Sequence, residues 1–227
     1  MKTYHLELPI SKDKVEKLHA GDIVYLSGKI LTLRDRPHQR IHAYVEKGKQ
    51  FPFELKNSAV IHCGPIIRKS GENKWEAVSI GATSSSRFSP FIPNLIKGLG
   101  PRVIIGKGNL FKEAVDALRN YGSVFLLAIG GCAALYGDQV KRVSNLYWKE
   151  FGMPDAVWEF EVENFGPLSV GIDVHGNDLN KQMREEVLKD RLAQIYHDLD
   201  IDPGVDYTWW PRVPAGTKRA TDYSTKV

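Results

Sequence analysis

Two short segments hold the residue types and spacing best suited to chemistry. Gly81-Ala82-Thr83-Ser84-Ser85-Ser86-Arg87 offers a run of hydroxyls and a guanidinium, and Ile105-Gly106-Lys107-Gly108-Asn109 sets an ammonium between two glycines. Each follows an apolar run that reads as a buried strand, at residues 76–80 and 102–105. Each opens a stretch that reads as a helix. A helix start presents unpaired backbone N–H groups and partial positive charge, so it suits an anion. Two such turns fit a ligand with two negative ends, such as a dicarboxylate. The alternative is a Ser/Thr helix cap beside an unrelated surface cation.

A third polar cluster, Arg34, Asp35, Arg36, His38 and Arg40, sits at another strand-to-helix turn. On a helix Arg34 and His38 are one turn apart and share a face. The plainer account is a solvated helix start, with Asp35 complementing the dipole. His175-Gly176-Asn177-Asp178 separates a strand from a long helix, where Asn177 or Asp178 can serve as the cap. A nucleophilic thiol in Gly130-Gly131-Cys132 needs a nearby base that no pattern supplies. His5, His19, His42, His62 and His197 are scattered and show no metal-ligand spacing. Glu159, Glu161 and Glu163 alternate along a strand and mark a solvent-facing side.

The elements that must position these residues follow from periodicity. Strands are expected at 4–8, 21–33, 59–63, 123–129, 156–163 and 168–173, the last two joined at Gly166-Pro167. Helices are expected at 11–18, 34–48, 110–121 and 179–199, with a short or kinked one in 87–99, where Pro90 and Pro93 interrupt. Residues 67–76 read as a hairpin connection. Alternating strands and helices from 59 to 137 indicate an α/β layer architecture. Residues 203–227 hold Trp209 and Trp210 and are expected to form a tail docked on the body or on a partner.

At 227 residues, 42% hydrophobic and 26% charged, the chain has an ordinary globular composition. Its net charge of +4 carries no dense Lys/Arg block, which argues against nucleic acid and fits an anionic small molecule or an acidic partner. No apolar run is long enough to span a membrane. Met1 is not followed by an apolar signal segment, so a cytoplasmic location is expected. The two cysteines, Cys63 and Cys132, are far apart and predict buried reduced thiols; alone they cannot ligate an iron–sulfur cluster.

From Gly21 to Leu179 the chain resembles the β subunit, or C-terminal domain, of the iron–sulfur hydro-lyases, class I fumarate hydratase and L(+)-tartrate dehydratase. The stretches that carry the resemblance are Gly21-Asp22-Ile23-Val24-Tyr25-Leu26-Ser27-Gly28, Arg34-Asp35 with His38, and Cys63-Gly64-Pro65-Ile66-Ile67-Arg68-Lys69. Trp75-Glu76-Ala77-Val78-Ser79-Ile80-Gly81, Ile105-Gly106-Lys107-Gly108 and Asp173-Val174-His175-Gly176-Asn177-Asp178-Leu179 complete the set. The family pattern Gly-Pro-Thr-Thr-Ser-x-Arg-Met stands here as Gly81-Ala82-Thr83-Ser84-Ser85-Ser86-Arg87-Phe88, departing at Ala82, Ser84 and Phe88. Asn109 stands where a third glycine is usual.

The resemblance implies a layered β/β/α swivelling-type domain over residues 1–202. It implies that Arg34, Arg87 and Lys107 hold substrate carboxylates, that Ser84 hydrogen-bonds one of them, and that His38 joins the substrate contacts. Thr83 matches the position of the base that moves the carbon-bound proton. A Thr hydroxyl needs activation by neighbouring cations for that, and Lys107, its pKa lowered among other cations, is the alternative base. A four-iron four-sulfur cluster on a separate α subunit is implied, in a hetero-oligomer such as α2β2. The implied reaction is water addition or loss at a C4 dicarboxylate, fumarate/malate first and L-tartrate next. A stand-alone dicarboxylate-binding or regulatory module is the competing reading. A phosphate-handling enzyme ranks last, because Gly106-Lys107-Gly108 lacks the Walker spacing.

Overall fold

The computed structural model describes residues 1–72 and 74–202. In chain order its elements are β1 (Thr3–Glu7), α1 (Lys12–Val15), β2 (Ile23–Thr32), α2 (Asp35–Glu46), β3 (Ala59–Ile61), β4 (Ile66–Gly71), β5 (Lys74–Ser79) and a 3-10 turn (Ser86–Phe91). There follow α3 (Ile92–Leu99), β6 (Val103–Gly106), α4 (Lys112–Tyr121), β7 (Val124–Ala128), α5 (Ala133–Asp138), β8 (Val140–Tyr147) and a second 3-10 turn (Lys149–Phe151). The last are β9 (Val157–Ile172), α6 (Leu179–Asp190) and α7 (Leu192–Asp198). The chain divides into two compact units, Met1–Met183 and Arg184–Val227. The tail expected to dock at 203–227 lies outside the described residues.

The fold is mixed α/β. Strands β1, β2, β3, β6 and β7 are parallel neighbours in that order, and β9 pairs antiparallel with both β7 and β2. The sheet therefore closes on itself through β2-β3-β6-β7-β9, with β8 added along β9 and β4-β5 forming a separate hairpin. Residues of the central strands alternate between two apolar clusters, as a period of two requires. Ala59, Ile61, Val103, Ile105, Val124 and Leu126 face the inner cluster. Val60, Ile104 and Phe125 face the outer one with Ile41 of α2, Leu95 of α3 and Leu118 of α4. Burial on both faces explains why these strands read as continuous apolar runs.

Several sequence expectations change. The two strands expected at 156–163 and 168–173 are one sixteen-residue strand, β9. Its Gly166-Pro167 lies where the strand crosses β2 closely: a Cβ on Gly166 would stand 2.8 Å from Val24 O. The register shifts there, so a Gly-Pro pair that reads as a turn marks a bulge instead. The helix expected at 179–199 is broken at Arg191 into α6 and α7. The helix expected at 11–18 shortens to α1. Strand β8 and helix α5 had no counterpart in the sequence reading. Because β8 covers that side of β9, Glu159 is not solvent-facing but 7% exposed. It accepts hydrogen bonds from Ser144 Oγ at 2.8 Å and Asn145 Nδ2 at 2.9 Å, and pairs with Lys29 Nζ at 3.1 Å.

Helices α2 and α3 meet at a glycine. A Cβ on Gly98 would lie 2.4 Å from Val45 Cγ2. In an isolated helix Gly98→Ala is expected to stabilise by about 1 kcal/mol; here overpacking is expected to reverse the sign and cost about 1–3 kcal/mol. Urea unfolding measures it, and an unchanged or raised midpoint contradicts the close contact.

Candidate functional site

The parallel strands β2, β3, β6 and β7 all end on one side of the closed sheet, where the loops that follow parallel strands gather, the usual place for ligand-binding residues in α/β folds. Thr32 leads to Arg34, Ile61 to His62, Gly106 to Lys107, and Ala128 to Gly130. The two turns singled out by sequence are hydrogen-bonded to each other. Ser84 and Lys107 form a parallel bridge, and Cys63 and Ala82 an antiparallel one. Thr83 N donates to His62 O at 2.8 Å, and Ser85 N donates to Lys107 O at 2.9 Å.

Charged side chains complete the cluster. Arg87 Nε and Nη2 donate to the two Asp35 carboxylate oxygens at 2.8 and 3.1 Å. Its Nη1 donates to Thr83 Oγ1 at 3.2 Å and Ser84 O at 2.9 Å. Arg34 Nε donates to Asp35 Oδ2 at 3.1 Å and lies 3.9 Å from Asp155 Oδ1. The Arg34 guanidinium packs so tightly on Gly64 that a Cβ there would stand 2.7 Å from Nη1. Hydrogen bonds from Arg87, against the cost of burial and with Arg34 adding, hold the Asp35 carboxyl below the usual carboxylate range. Lys107 is exposed and makes no ion pair among the described residues. Its side chain passes Gly130, where a Cβ would lie 3.7 Å from Lys107 Cδ.

Arg34, Thr83, Ser84, Arg87 and Lys107 are thus brought together. His38 is not on the exposed surface with them. It is fully buried beneath the loop, its ring 4.7 Å from Phe88 and 5.0 Å from His62, and neither ring nitrogen has a hydrogen-bond partner. Burial pushes its pKa down to about 3, with Asp35 opposing, so the ring is neutral. Phe88 is buried below the Arg87 guanidinium, whose carbon sits 4.3 Å from the ring centroid. The helix-start argument for anion binding needs correction. The first turn opens a 3-10 turn rather than an α-helix, and α4 begins only at Lys112. The positive character comes from side chains on joined loops, not from two helix dipoles.

The buried pair His62 and Ser85, which the structure ties to both turns, was not singled out by sequence, and Asp35 had only a dipole role there. Their signal was position: each adjoins the C-terminal end of a strand or a site turn. The His175 segment is built around buried Asp173, which accepts from Ala20 N, His175 N, Asn177 N and Asn177 Nδ2 at 2.9–3.1 Å. Asp178 Oδ1 caps α6 by accepting from Lys181 N. Asn180 Nδ2 donates to Asn109 Oδ1 at 2.7 Å, which ties this segment to the Lys107 turn. A cavity of about 570 Å³ lies elsewhere, lined by Phe51, Phe53 and Leu99 among others.

The cysteines do not form a ligand set for a cluster. Cys63 is buried, and burial, partly offset by Arg34, raises its thiol pKa to about 12. Among the described residues no group of three His, Cys, Asp or Glu side chains could hold a metal ion. No helix among them is long and apolar enough to cross a membrane.

Comparison with known proteins gives a consistent set of relatives. The family model described as Fumarase C-terminus matches residues 1–183. A Methanocaldococcus jannaschii protein, provisionally named an L(+)-tartrate dehydratase β subunit, is 45% identical over 78% of this chain and 91% of its own length. The L(+)-tartrate dehydratase β subunit of Escherichia coli is 36% identical over 85% of this chain and 96% of its own length. A Geobacillus stearothermophilus protein, provisionally named a class I fumarate hydratase, is 34% identical over 84% of this chain but only 36% of its own.

The Asp35 shift carries a pH dependence. Its folded-state pKa lies below the unfolded value, so its contribution to stability is present above the unfolded pKa of about 3.9 and is lost as pH falls through the folded value. Melting temperatures measured from pH 6 down to pH 2 are expected to fall less steeply in Asp35→Asn than in the wild type. Parallel acid limbs would show that the Arg34–Asp35–Arg87 chain does not contribute.

Proposed function

This chain belongs to the Fumarase C-terminus family, and from that premise we propose that it is the β subunit of a hydro-lyase that adds or removes water at a C4 dicarboxylate. The relatives of similar length are named tartrate dehydratase β subunits, so L-tartrate stands beside fumarate and malate as a substrate. The observation that carries the reading is that Asp35 joins Arg34 to Arg87, Arg87 donates to Thr83, and the adjoining Ser84 bridges to Lys107, all at the same strand ends.

Removing water from such a substrate requires a proton to leave the carbon next to a carboxylate, whose oxygens then gather charge. Fixed cations stabilise that charge without reorganising. Arg34 and Lys107 are the cations for the substrate carboxylates, and Ser84 offers a hydroxyl. Arg87 has most of its donors engaged and one Nη2 hydrogen left for substrate. By donating to Thr83 Oγ1 it favours a negatively charged oxygen there, the activation a Thr base needs. Lys107 is the alternative base. Buried His38 supports Phe88 and the turn rather than touching substrate.

The four-iron four-sulfur cluster belongs on an α subunit, since this chain's cysteines do not fit it. The substrate contacts face outward, in keeping with a composite site completed in a hetero-oligomer. The two apolar clusters, one inside the closed sheet and one under the helices, support the layered β/β/α reading. Free thiols support a reducing, cytoplasmic compartment. The departures at Ala82, Ser84 and Phe88 keep a non-catalytic dicarboxylate-binding module as the second reading.

Mixing the chain with a cluster-bearing α subunit and assaying fumarate, malate and L-tartrate decides between them. Turnover of at least one is expected; none on any of the three contradicts the hydro-lyase reading. Calorimetric titration of the chain alone should show only weak dicarboxylate binding, whereas a binding module binds tightly unaided. In the active complex Arg34→Ala is expected to raise KM at least tenfold, a loss of about 1.4 kcal/mol or more. Thr83→Val or Lys107→Met, whichever removes the base, should lower kcat about a hundredfold or more. A melting temperature falling in step with activity would mark these residues as structural.

A further inference from the structure

Ser85 is fully buried, yet its hydrogen bonds reach across to the second turn. Its backbone N–H donates to Lys107 O at 2.9 Å, and its Oγ accepts from Lys107 N at 3.2 Å. One residue therefore clamps the Lys107 backbone from both sides. The same Oγ lies 3.5 Å from Thr83 O and 2.8 Å from His62 Nδ1. His62 is fully buried as well. Its backbone accepts from Thr83 N at 2.8 Å and donates to Ile105 O at 2.8 Å.

Counting donors leaves two arrangements of the hydrogens, and burial chooses between them. A hydroxyl has one hydrogen and two acceptor sites. Lys107 N–H takes one acceptor site, and Thr83 O can only accept. Either the hydroxyl donates to His62 Nδ1 at 2.8 Å and Nε2 carries an orphan N–H, or the hydroxyl hydrogen points at Thr83 O, a long contact at 3.5 Å, and His62 Nδ1–H donates to the remaining acceptor site. The second arrangement leaves His62 Nε2 as a bare lone pair among the His38 and Phe88 rings. A buried bare acceptor is more readily tolerated than a buried orphan N–H, which favours the second. Burial also holds the His62 pKa well below its usual value, so the ring stays neutral. Space is reserved for the arrangement: a Cβ on Gly106 would fall 1.9 Å from Ser85 Oγ.

We propose that Ser85, oriented by His62, is a positioning residue that fixes Lys107 relative to Thr83. The inference rests on the reading of Thr83 as the base, or Lys107 as its alternative, with Lys107 otherwise holding the carboxylate beside the reacting carbon. Neither Ser85 nor His62 touches substrate. Arg34 and Arg87 are anchored separately through Asp35, so two of the three substrate-facing cations keep their places when the clamp is lost, whereas the placing of Lys107 against Thr83, on which proton transfer depends, does not. Small misplacements of a reacting group can cost about a hundredfold in rate.

The test uses the complex with the α subunit and a substrate deuterated at the carbon that loses its proton. With Ser85→Ala, kcat per assembled molecule is expected to fall about tenfold or more while KM moves less than about threefold. The primary deuterium isotope effect should rise as proton transfer becomes limiting. His62→Phe should behave the same way. His62→Asn, which keeps an N–H near the Nδ1 position, should recover most of the loss. A merely structural role would lower the active fraction and leave the isotope effect unchanged, and that outcome overturns the proposal. Wild-type kcat and isotope effect in Ser85→Ala overturn it too. Amide hydrogen exchange at Lys107 in the full chain reads the clamp without turnover. Exchange about tenfold faster in Ser85→Ala supports it, and unchanged exchange contradicts it, even if the hydro-lyase reading fails.

Discussion

A single carboxylate between two guanidiniums organises this face of the protein. Asp35 receives two hydrogen bonds from Arg87 and one from Arg34. Without it, two like charges would repel across the seam between α2 and the first turn. With it, α2 is tied to the loop that carries Thr83 and Ser84. Charge-assisted bonds from a planar guanidinium to a carboxylate are directional. They fix where each guanidinium points, which a contact between apolar groups does not.

The remaining order is carried by the backbone. The first turn is not a free loop on a helix start. It pairs with the end of β6 through Ser84 and Lys107 and with the end of β3 through Thr83 and His62. The cations therefore inherit the rigidity of the parallel strands beneath them. Those strands are held by burial on both faces, one inside the closed sheet and one under α2, α3 and α4. The exposed cations above this base are left open toward solvent, the arrangement expected of a surface that a second chain completes.

Much of this was legible from residue types. Apolar runs at 59–63, 102–105 and 123–129 marked the buried strands, and Gly48 marked the end of α2, where it takes a positive φ. The Arg34, Thr83, Arg87 and Lys107 positions were readable from motifs. What escaped depends on distant pairing. Gly166-Pro167 reads as a turn locally, and only the crossing with β2 makes it a bulge within one strand. Glu159 reads as exposed until β8 covers it. Ser85 and His62 look like a cap residue and a stray histidine. Their roles appear only when 62, 85 and 107 meet in space. Helix dipoles pointed to residues that do lie together in the fold, but they are not the source of the positive charge, since α4 starts well past Lys107.

The central claim is that these joined turns form one part of a dicarboxylate site completed by another chain. A structure of the chain assembled with a cluster-bearing α subunit, with a C4 dicarboxylate bound, tests it most directly. The account expects the ligand's carboxylates within hydrogen-bonding distance of Arg34 and Lys107, with Thr83 facing a ligand carbon. A ligand seated in the cavity at Phe51 and Phe53, or enclosed by the α subunit alone with no contact from this chain, would contradict it.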